Sequence, residues 1–248
     1  MQLVVINPNT TTEMTAVIER AAQSVARPDT EIVAVTSAMG PASIESHYDE
    51  ALAVPGVLAA IADHPHADGY LLACFGDPGL DAAREIAGAP VMGIAEAAMH
   101  IAAPLGRGFS VVTTLSRTTG RAADLVSHYG FSGWCRGIHA CDIPVLELES
   151  NPDTAEILAK SCREALATDG SDAIVLGCAG MAELAARMSG ELGAPVIDGV
   201  AAGVGMLSAM AAMGLRTGTT SGEFTPPPAK TYTGLLAPFA PTAPDDAS

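Results

Sequence analysis

Asp68-Gly69-Tyr70-Leu71-Leu72-Ala73-Cys74-Phe75-Gly76 returns about a hundred residues later as Asp172-Ala173-Ile174-Val175-Leu176-Gly177-Cys178-Ala179-Gly180. Each copy is an acidic residue, a short apolar run, a cysteine, one further residue and a glycine. A segment of helical period follows each, carried by Leu80, Ala83 and Ile86 in the first copy and by Leu184, Ala185 and Met188 in the second. Both segments close on Ala-Pro-Val, at Ala89-Pro90-Val91 and Ala194-Pro195-Val196, where another apolar run begins. Short apolar runs bounded by turn residues and followed by helices are buried parallel strands of βαβ units. Each cysteine therefore sits where a strand ends and a helix is about to start.

Ligands of open α/β sheets gather at the carboxyl ends of the strands. A helix N-terminus there favours negative charge, so a thiol beside it is expected to ionise more easily. A single such cysteine reads equally well as a small core hydrophobe. Two at matching places in a duplicated segment read as a functional pair.

The duplication extends in both directions. Leu3-Val4-Val5-Ile6 is a first strand, and the Thr10/Glu13 spacing of Asn7-Pro8-Asn9-Thr10-Thr11-Thr12-Glu13 predicts a capping box opening a helix through Met14, Val17, Ile18 and Ala21. Asn7, at the strand tip, is positioned to point its amide at a substrate. Val111-Val112-Thr113-Thr114 repeats this plan after Arg107, with the next helix opening near Thr118, Gly120 and Arg121 and running through Tyr129. A second half thus begins near residue 105. The expected fold is α/β, with two pseudo-symmetric Rossmann-like lobes built on parallel sheets. One lobe covers residues 1–104 plus about 216–248, the other 105–215, and the active site lies in the cleft between them.

Composition narrows the function. A hydrophobic fraction of 49% is ample for a core, while 12 basic against 28 acidic residues leave a net charge of −16 that repels nucleic acid and anionic membranes. The opening residues lack the basic and long apolar regions of a signal peptide, and Val200–Met213 is too short and glycine-broken to span a bilayer. Five cysteines, an odd number, read as reduced thiols of a cytoplasmic protein. No Cys-x-x-Cys or His-x-x-x-His spacing suggests a metal site. The Ala/Met-rich Val200–Met213 segment makes a homo-oligomer the expectation.

The remaining stretches read mostly as structure. Glu31–Val35 is a strand, and the Gly40–Tyr48 loop after it is placed to cover the site, with Ile44 or Tyr48 supplying apolar contact. His47 reads as a solvated loop residue and His64-Pro65-His66 as a surface turn. Asp77 and Pro78 fit the cap and first residue of the helix after Cys74. Trp134–Pro144 reads as an irregular connection containing Cys135 and Cys141, and Cys162 falls on a helix over Thr154–Ala167. The Pro-rich tail from Thr225 is expected to be extended and Pro244–Ser248 disordered.

Equivalent residues of two such lobes face each other across the cleft. Two cysteines on opposite sides of a small molecule suit a two-base reaction at one carbon, in which one thiolate removes a proton and the other thiol delivers one to the opposite face.

Ile6-Asn7-Pro8-Asn9-Thr10-Thr11, Cys74-Phe75-Gly76-Asp77-Pro78-Gly79-Leu80-Asp81, Val111-Val112-Thr113-Thr114 and Leu176-Gly177-Cys178-Ala179-Gly180-Met181 together resemble the aspartate/glutamate/hydantoin racemase superfamily. Within it the hydantoin and allantoin racemases are the nearest likeness, and Lys230-Thr231-Tyr232-Thr233-Gly234-Leu235 fits them too. The resemblance implies a cofactor-independent racemase with Cys74 and Cys178 as catalytic acid/bases. Amino-acid racemases of the superfamily carry a His after the second cysteine and polar residues after the first. Here Phe75-Gly76 and Ala179-Gly180 stand instead, which suits a neutral ring with backbone-bonded carbonyls. The substrate implied is a 5-substituted hydantoin or allantoin, whose C5–H lies beside a ring carbonyl. Asn7, Ile44, Phe75, Gly76, Thr113, Thr114, Ala179 and Gly180 are the expected binding residues, with the two threonines and the main chain near Gly76 and Gly180 stabilising the enolate oxygen. Competing readings are an aspartate/glutamate racemase, a malonate-type decarboxylase, and a non-enzymatic two-lobe binding protein.

Overall fold

The structure is a computed structural model that describes residues 1–241. Two four-stranded parallel sheets form its frame. The first has β1 (Gln2–Asn7), β2 (Glu31–Thr36), β3 (Gly69–Leu72) and β4 (Val91–Gly93) in the order β2-β1-β3-β4. The second has β5 (Phe109–Thr113), β6 (Cys135–Ala140), β7 (Ala173–Gly177) and β8 (Val196–Ile197) in the order β6-β5-β7-β8. The orders are identical, as the repeated sequence requires. Strands run parallel because each pair is joined by a helical crossover.

The helices are α1 (Thr12–Val25), α2 (His47–Asp63), α3 (Leu80–Ile86), α4 (Ile94–Ala102), α5 (Thr119–His128), α6 (Thr154–Asp169), α7 (Ala185–Leu192) and α8 (Gly199–Ala212). Alternation along the strands divides the packing. Val4 and Ile6 face α2 and α3, through Val57, Ile61, Leu80 and Ala83. Val112, Ile174 and Leu176 face Leu158, Ala159, Cys162 and Met188 of α6 and α7. Leu3, Val5 and Leu71 of one sheet and Phe109, Val111 and Val175 of the other point into a single core that also takes residues of α1, α4, α5 and α8. The alanines Ala95, Ala97, Ala98, Ala102 and Ala202 let helices in that middle layer approach closely.

Two expectations need correction. The Trp134–Pro144 stretch is not an irregular connection: Cys135–Ala140 is the edge strand β6, paired along β5. Its Arg136-Gly137 and half-buried pattern hide the strand signal, as edge positions tolerate poor formers. Helix α8, assigned to the 105–215 lobe, packs on β3, α1 and α4 of the first, with Leu207 against Leu3 and Gly69. The chain therefore returns to the first sheet near Asp198, ahead of residue 216. Pro244–Ser248 lies outside the described residues. Among those described, no helix is long and apolar enough to cross a membrane.

Candidate active site

The carboxyl ends of β1, β3, β5 and β7 converge on one cavity whose empty space, mouth included, is ≈ 560 Å³. Cys74 and Cys178 both line it, with Ile44, Phe75, Gly76, Thr113, Thr114 and Ala179 of the expected binding set. Ile44 arrives on the Gly40–Ser46 loop, which is held over the cleft by Thr10 N–H and Thr11 Oγ1 donating to the Pro41 and Ala42 carbonyls at 3.0 and 2.7 Å. Tyr48 points away and is 74% exposed.

The two cysteine turns are built alike. The N–H of residue three onward donates to the cysteine carbonyl in each, Asp77 to Cys74 at 3.0 Å and Met181 to Cys178 at 3.1 Å. The backbone of residue two onward, Gly76 or Gly180, favours the thiolate in each turn. Gly180, one of the expected binding residues, does not line the cavity. Both cysteines are half-buried, and desolvation dominates their sulfhydryls. Desolvation pushes the Cys178 thiol up to about 12 and Cys74 higher still, the glycine amides opposing in each case. The expected activation by a helix N-terminus is thus outweighed: both thiols rest protonated at neutral pH.

Asn7 does not reach the cavity. It is fully buried, and its Nδ2 donates to Asn9 Oδ1, Thr11 O and Thr15 Oγ1 at 2.9, 3.1 and 3.0 Å. It knots the β1–α1 turn, while Asn9 presents its side chain to the cavity. The capping box is also absent. Helix α1 starts at Thr12 with Thr11 at its N-cap, and the Thr10 and Thr11 hydroxyls serve the covering loop.

Thr113 and Thr114 divide their work. Thr113 Oγ1 is spent on the Gly177 carbonyl and Thr118 Oγ1, both at 3.1 Å. Among the described residues Thr114 makes no side-chain hydrogen bond, which leaves its buried hydroxyl available to the cavity.

Sequence reasoning missed a charged pair. Arg121 of α5 donates to the Gly76 carbonyl through Nε and Nη2, at 3.2 and 2.6 Å, and its Nε also lies 3.1 Å from Glu50 Oε2. Glu50, on α2, has its carboxyl raised by desolvation against the pull of Arg121. A Cβ at residue 76 would displace the Glu50 carboxylate from Arg121. Helical charges on opposite lobes leave no spacing signal that would pair them. Among the described residues no group of three His, Cys, Asp or Glu side chains could hold a metal.

Asp77 and Pro78 are likewise not the cap and first residue of the helix after Cys74, which starts at Leu80 with Gly79 at its N-cap. The Asp77 carboxylate instead accepts the Ala95 and Glu96 amides at the start of α4, at 3.1 and 3.0 Å, and the Tyr129 hydroxyl at 2.7 Å.

The sequence profile described as Asp/Glu/Hydantoin racemase matches residues 3–207. The chain is 46% identical over 242 residues to a hydantoin racemase of Pseudomonas sp. (strain NS671), covering 96% of this chain and 97% of that one. Its structure superposes on an allantoin racemase from Klebsiella pneumoniae with a TM-score of 0.94 and 48% identity, over 98% of this chain and 100% of the other. Glutamate racemase from Francisella tularensis, at 19% identity and a TM-score of 0.63, covers 89% of this chain and 84% of its own and shares the fold alone. The chain belongs to the Asp/Glu/hydantoin racemase family and is an isomerase of the racemase type.

Proposed function

We propose that the protein inverts C5 of a hydantoin-type ring, a 5-substituted hydantoin or allantoin, by two-base catalysis with Cys74 and Cys178. The observation that carries this reading is the pair of equivalent cysteine turns opening on one cavity. The ring binds between the turns with C5 between the sulfurs. One cysteine, as thiolate, takes the C5 proton, and the electron pair moves into the adjacent carbonyl to give an enolate. The other thiol then protonates C5 on the opposite face. The two sulfurs have exchanged protonation states, the product is the other enantiomer, and the reverse reaction starts from that state. Thr114 donates its hydroxyl to the enolate oxygen as charge develops. The chemistry calls on no cofactor and no metal.

A neutral ring suits the wall of the site. The one arginine lining it is already engaged by Glu50 and the Gly76 carbonyl, so it offers no free charge to an amino-acid carboxylate. That weighs against the aspartate/glutamate reading, and two retained cysteines weigh against a one-cysteine decarboxylase. Five free thiols suit a reducing, cytoplasmic setting.

The test follows optical rotation and C5–H exchange in deuterated water with allantoin and with a 5-benzyl hydantoin. Cys74→Ser and Cys178→Ser should each abolish racemisation while still exchanging the hydrogen of one enantiomer, and the two variants should choose opposite enantiomers. Full racemisation by either variant, or the same enantiomer exchanged by both, sinks the mechanism. Turnover of an amino acid with neither ring turned over sinks the substrate class.

A further inference from the structure

The two halves hold their cysteine turns by different chemistry. At the residue three beyond the cysteine, the second half has Met181, fully buried among Leu148, Met188 and their neighbours. The first half has Asp77, a carboxylate 3% exposed. A second mismatch accompanies the first. The repeat aligns Asp198 with Gly93. Asp198 caps its own helix, accepting the Val200 and Ala201 amides at 3.0 and 2.8 Å. Gly93 has no side chain to cap α4, and a Cβ there would collide with the Asp77 carboxyl. The missing cap is supplied from the Cys74 turn by Asp77, whose backbone also departs from the repeat at φ 44°.

The same carboxylate reaches the other lobe, where it accepts the Tyr129 hydroxyl at the end of α5. Helix α5 also supplies Arg121, which holds the Gly76 carbonyl. The backbone of Cys74-Phe75-Gly76-Asp77 is thus tied at its end to a helix N-terminus and at its middle to the opposite lobe. Met181 lacks any such tie to a helix start.

We propose that Asp77 is the positioning residue of the Cys74 thiol, joining its turn to the start of α4 and to Tyr129 of the opposite lobe, while Met181 at the matching place of the Cys178 turn only packs among apolar side chains. This rests on the two-thiol reading of the site. Asp77 touches no reacting atom; it aims a thiol whose proton transfer tolerates little displacement. It acts on one face of the substrate.

The experiment places Asp77→Asn in each single-cysteine background and reads C5–H exchange. Asparagine is at home at positive φ, so the backbone is not strained, but one of its two terminal atoms is a donor facing donors. In Cys178→Ser protein, where Cys74 works alone, exchange should fall about 10²-fold. In Cys74→Ser protein, exchange at the Cys178 face should stay within about twofold, since the Cys178 turn shares none of the hydrogen-bond partners of Asp77. Tyr129→Phe, which removes one hydrogen bond and keeps the ring, should lower only the Cys74 face and by less. Where Asp77→Asn folds poorly, Asp77→Gly combined with Gly93→Asp returns the cap to the place Asp198 occupies in the second half. This recapped protein should regain its melting temperature without regaining exchange at the Cys74 face. An equal fall on both faces, or recovery of that exchange on recapping, reduces Asp77 to a helix cap and overturns the proposal. Should the parent single-cysteine variants fail to choose opposite enantiomers, the two-thiol reading falls and takes this proposal with it. If they do choose and Asp77 makes no difference between them, only this proposal falls.

Discussion

Glu45 Oε1 accepts the backbone N–H of Val145 at 2.8 Å, joining the loop over the first lobe to the second across the mouth of the cavity. Ile44 and Val145, the neighbours of this bond, both line the site. Glu45→Ala should therefore loosen the cover and raise KM, with kcat/KM down about tenfold for one charge-assisted hydrogen bond. Glu45→Gln keeps an acceptor and should stay near wild type. Steady-state kinetics of both variants decide it, and an unchanged KM in Glu45→Ala would mean that the loop is held by Pro41 and Ala42 alone.

Thr114→Val keeps the volume and removes the hydroxyl left free in the cavity. Turnover should drop about 10²-fold, the cost of one oxyanion donor, without loss of the folded state. Rates and circular dichroism measured together test this, and an undiminished rate removes Thr114 from the chemistry.

Resting thiols this desolvated make the reaction depend on rare thiolate. Because burial raises both sulfhydryls, Cys178 to about 12 and Cys74 beyond it, the reactive fraction grows with every rise in pH. We expect kcat/KM to climb about tenfold per pH unit between roughly pH 6 and pH 8. Iodoacetamide should label both sites slowly at neutral pH and follow the same slope. A plateau already reached below neutrality would mean that these thiols ionise far more easily than their desolvation implies.

The Glu50–Arg121 pair bounds the Cys74 turn. Arg121→Met strands a largely buried carboxylate and releases the Gly76 carbonyl, for a stability loss of about 1–2 kcal/mol after allowance for partial exposure. Combining it with Glu50→Gln should recover most of that loss, since the two sites share one interaction. Denaturant midpoints for the double-mutant cycle provide the measurement. Strict additivity would mean no coupling.

Asp77 gives stability a pH signature. Desolvation, against the bonds from Tyr129, Ala95 and Glu96, raises its carboxyl from the ordinary 3.8 to about 6. The folded state then holds a proton that the unfolded chain has already lost, so stability falls as pH rises from about 4 through about 6. Relative to Asp77→Asn, the wild-type protein should gain about 2–3 kcal/mol on acidification through that window. Nearby Glu96, paired with Arg84, is unchanged in both proteins and cancels from the comparison. Parallel melting curves from pH 7 to pH 4 would dismiss the titration of Asp77.

What could be read from the chain and what could not follow a physical division. The duplicated strand, cysteine and glycine pattern is local, and it led to both sheets and both thiols. The partners of Asp77 lie 18 and 52 residues away, so the nearest helix was the natural guess for its cap and the wrong one. Asn7 stands at a strand tip, where an amide can turn either outward or back into its own turn, and only packing around Thr15 decides. Glu50 and Arg121 sit on helices of opposite lobes with no common period. Strand β6 hides because an edge strand beside Gly137 needs little of the β-branched signal that marks central ones.

The single layer of α1, α4, α5 and α8 between the sheets has a consequence for how the molecule comes apart. Neither half can shield the inner face of its own sheet, because each borrows helices that also serve the other. Excised at residue 105, either half would present a broad greasy surface to water and would aggregate or melt. Denaturation of the intact chain should accordingly proceed in one cooperative step, with no species in which one half persists while the other is lost. Two copies of one plan have become a single folding unit.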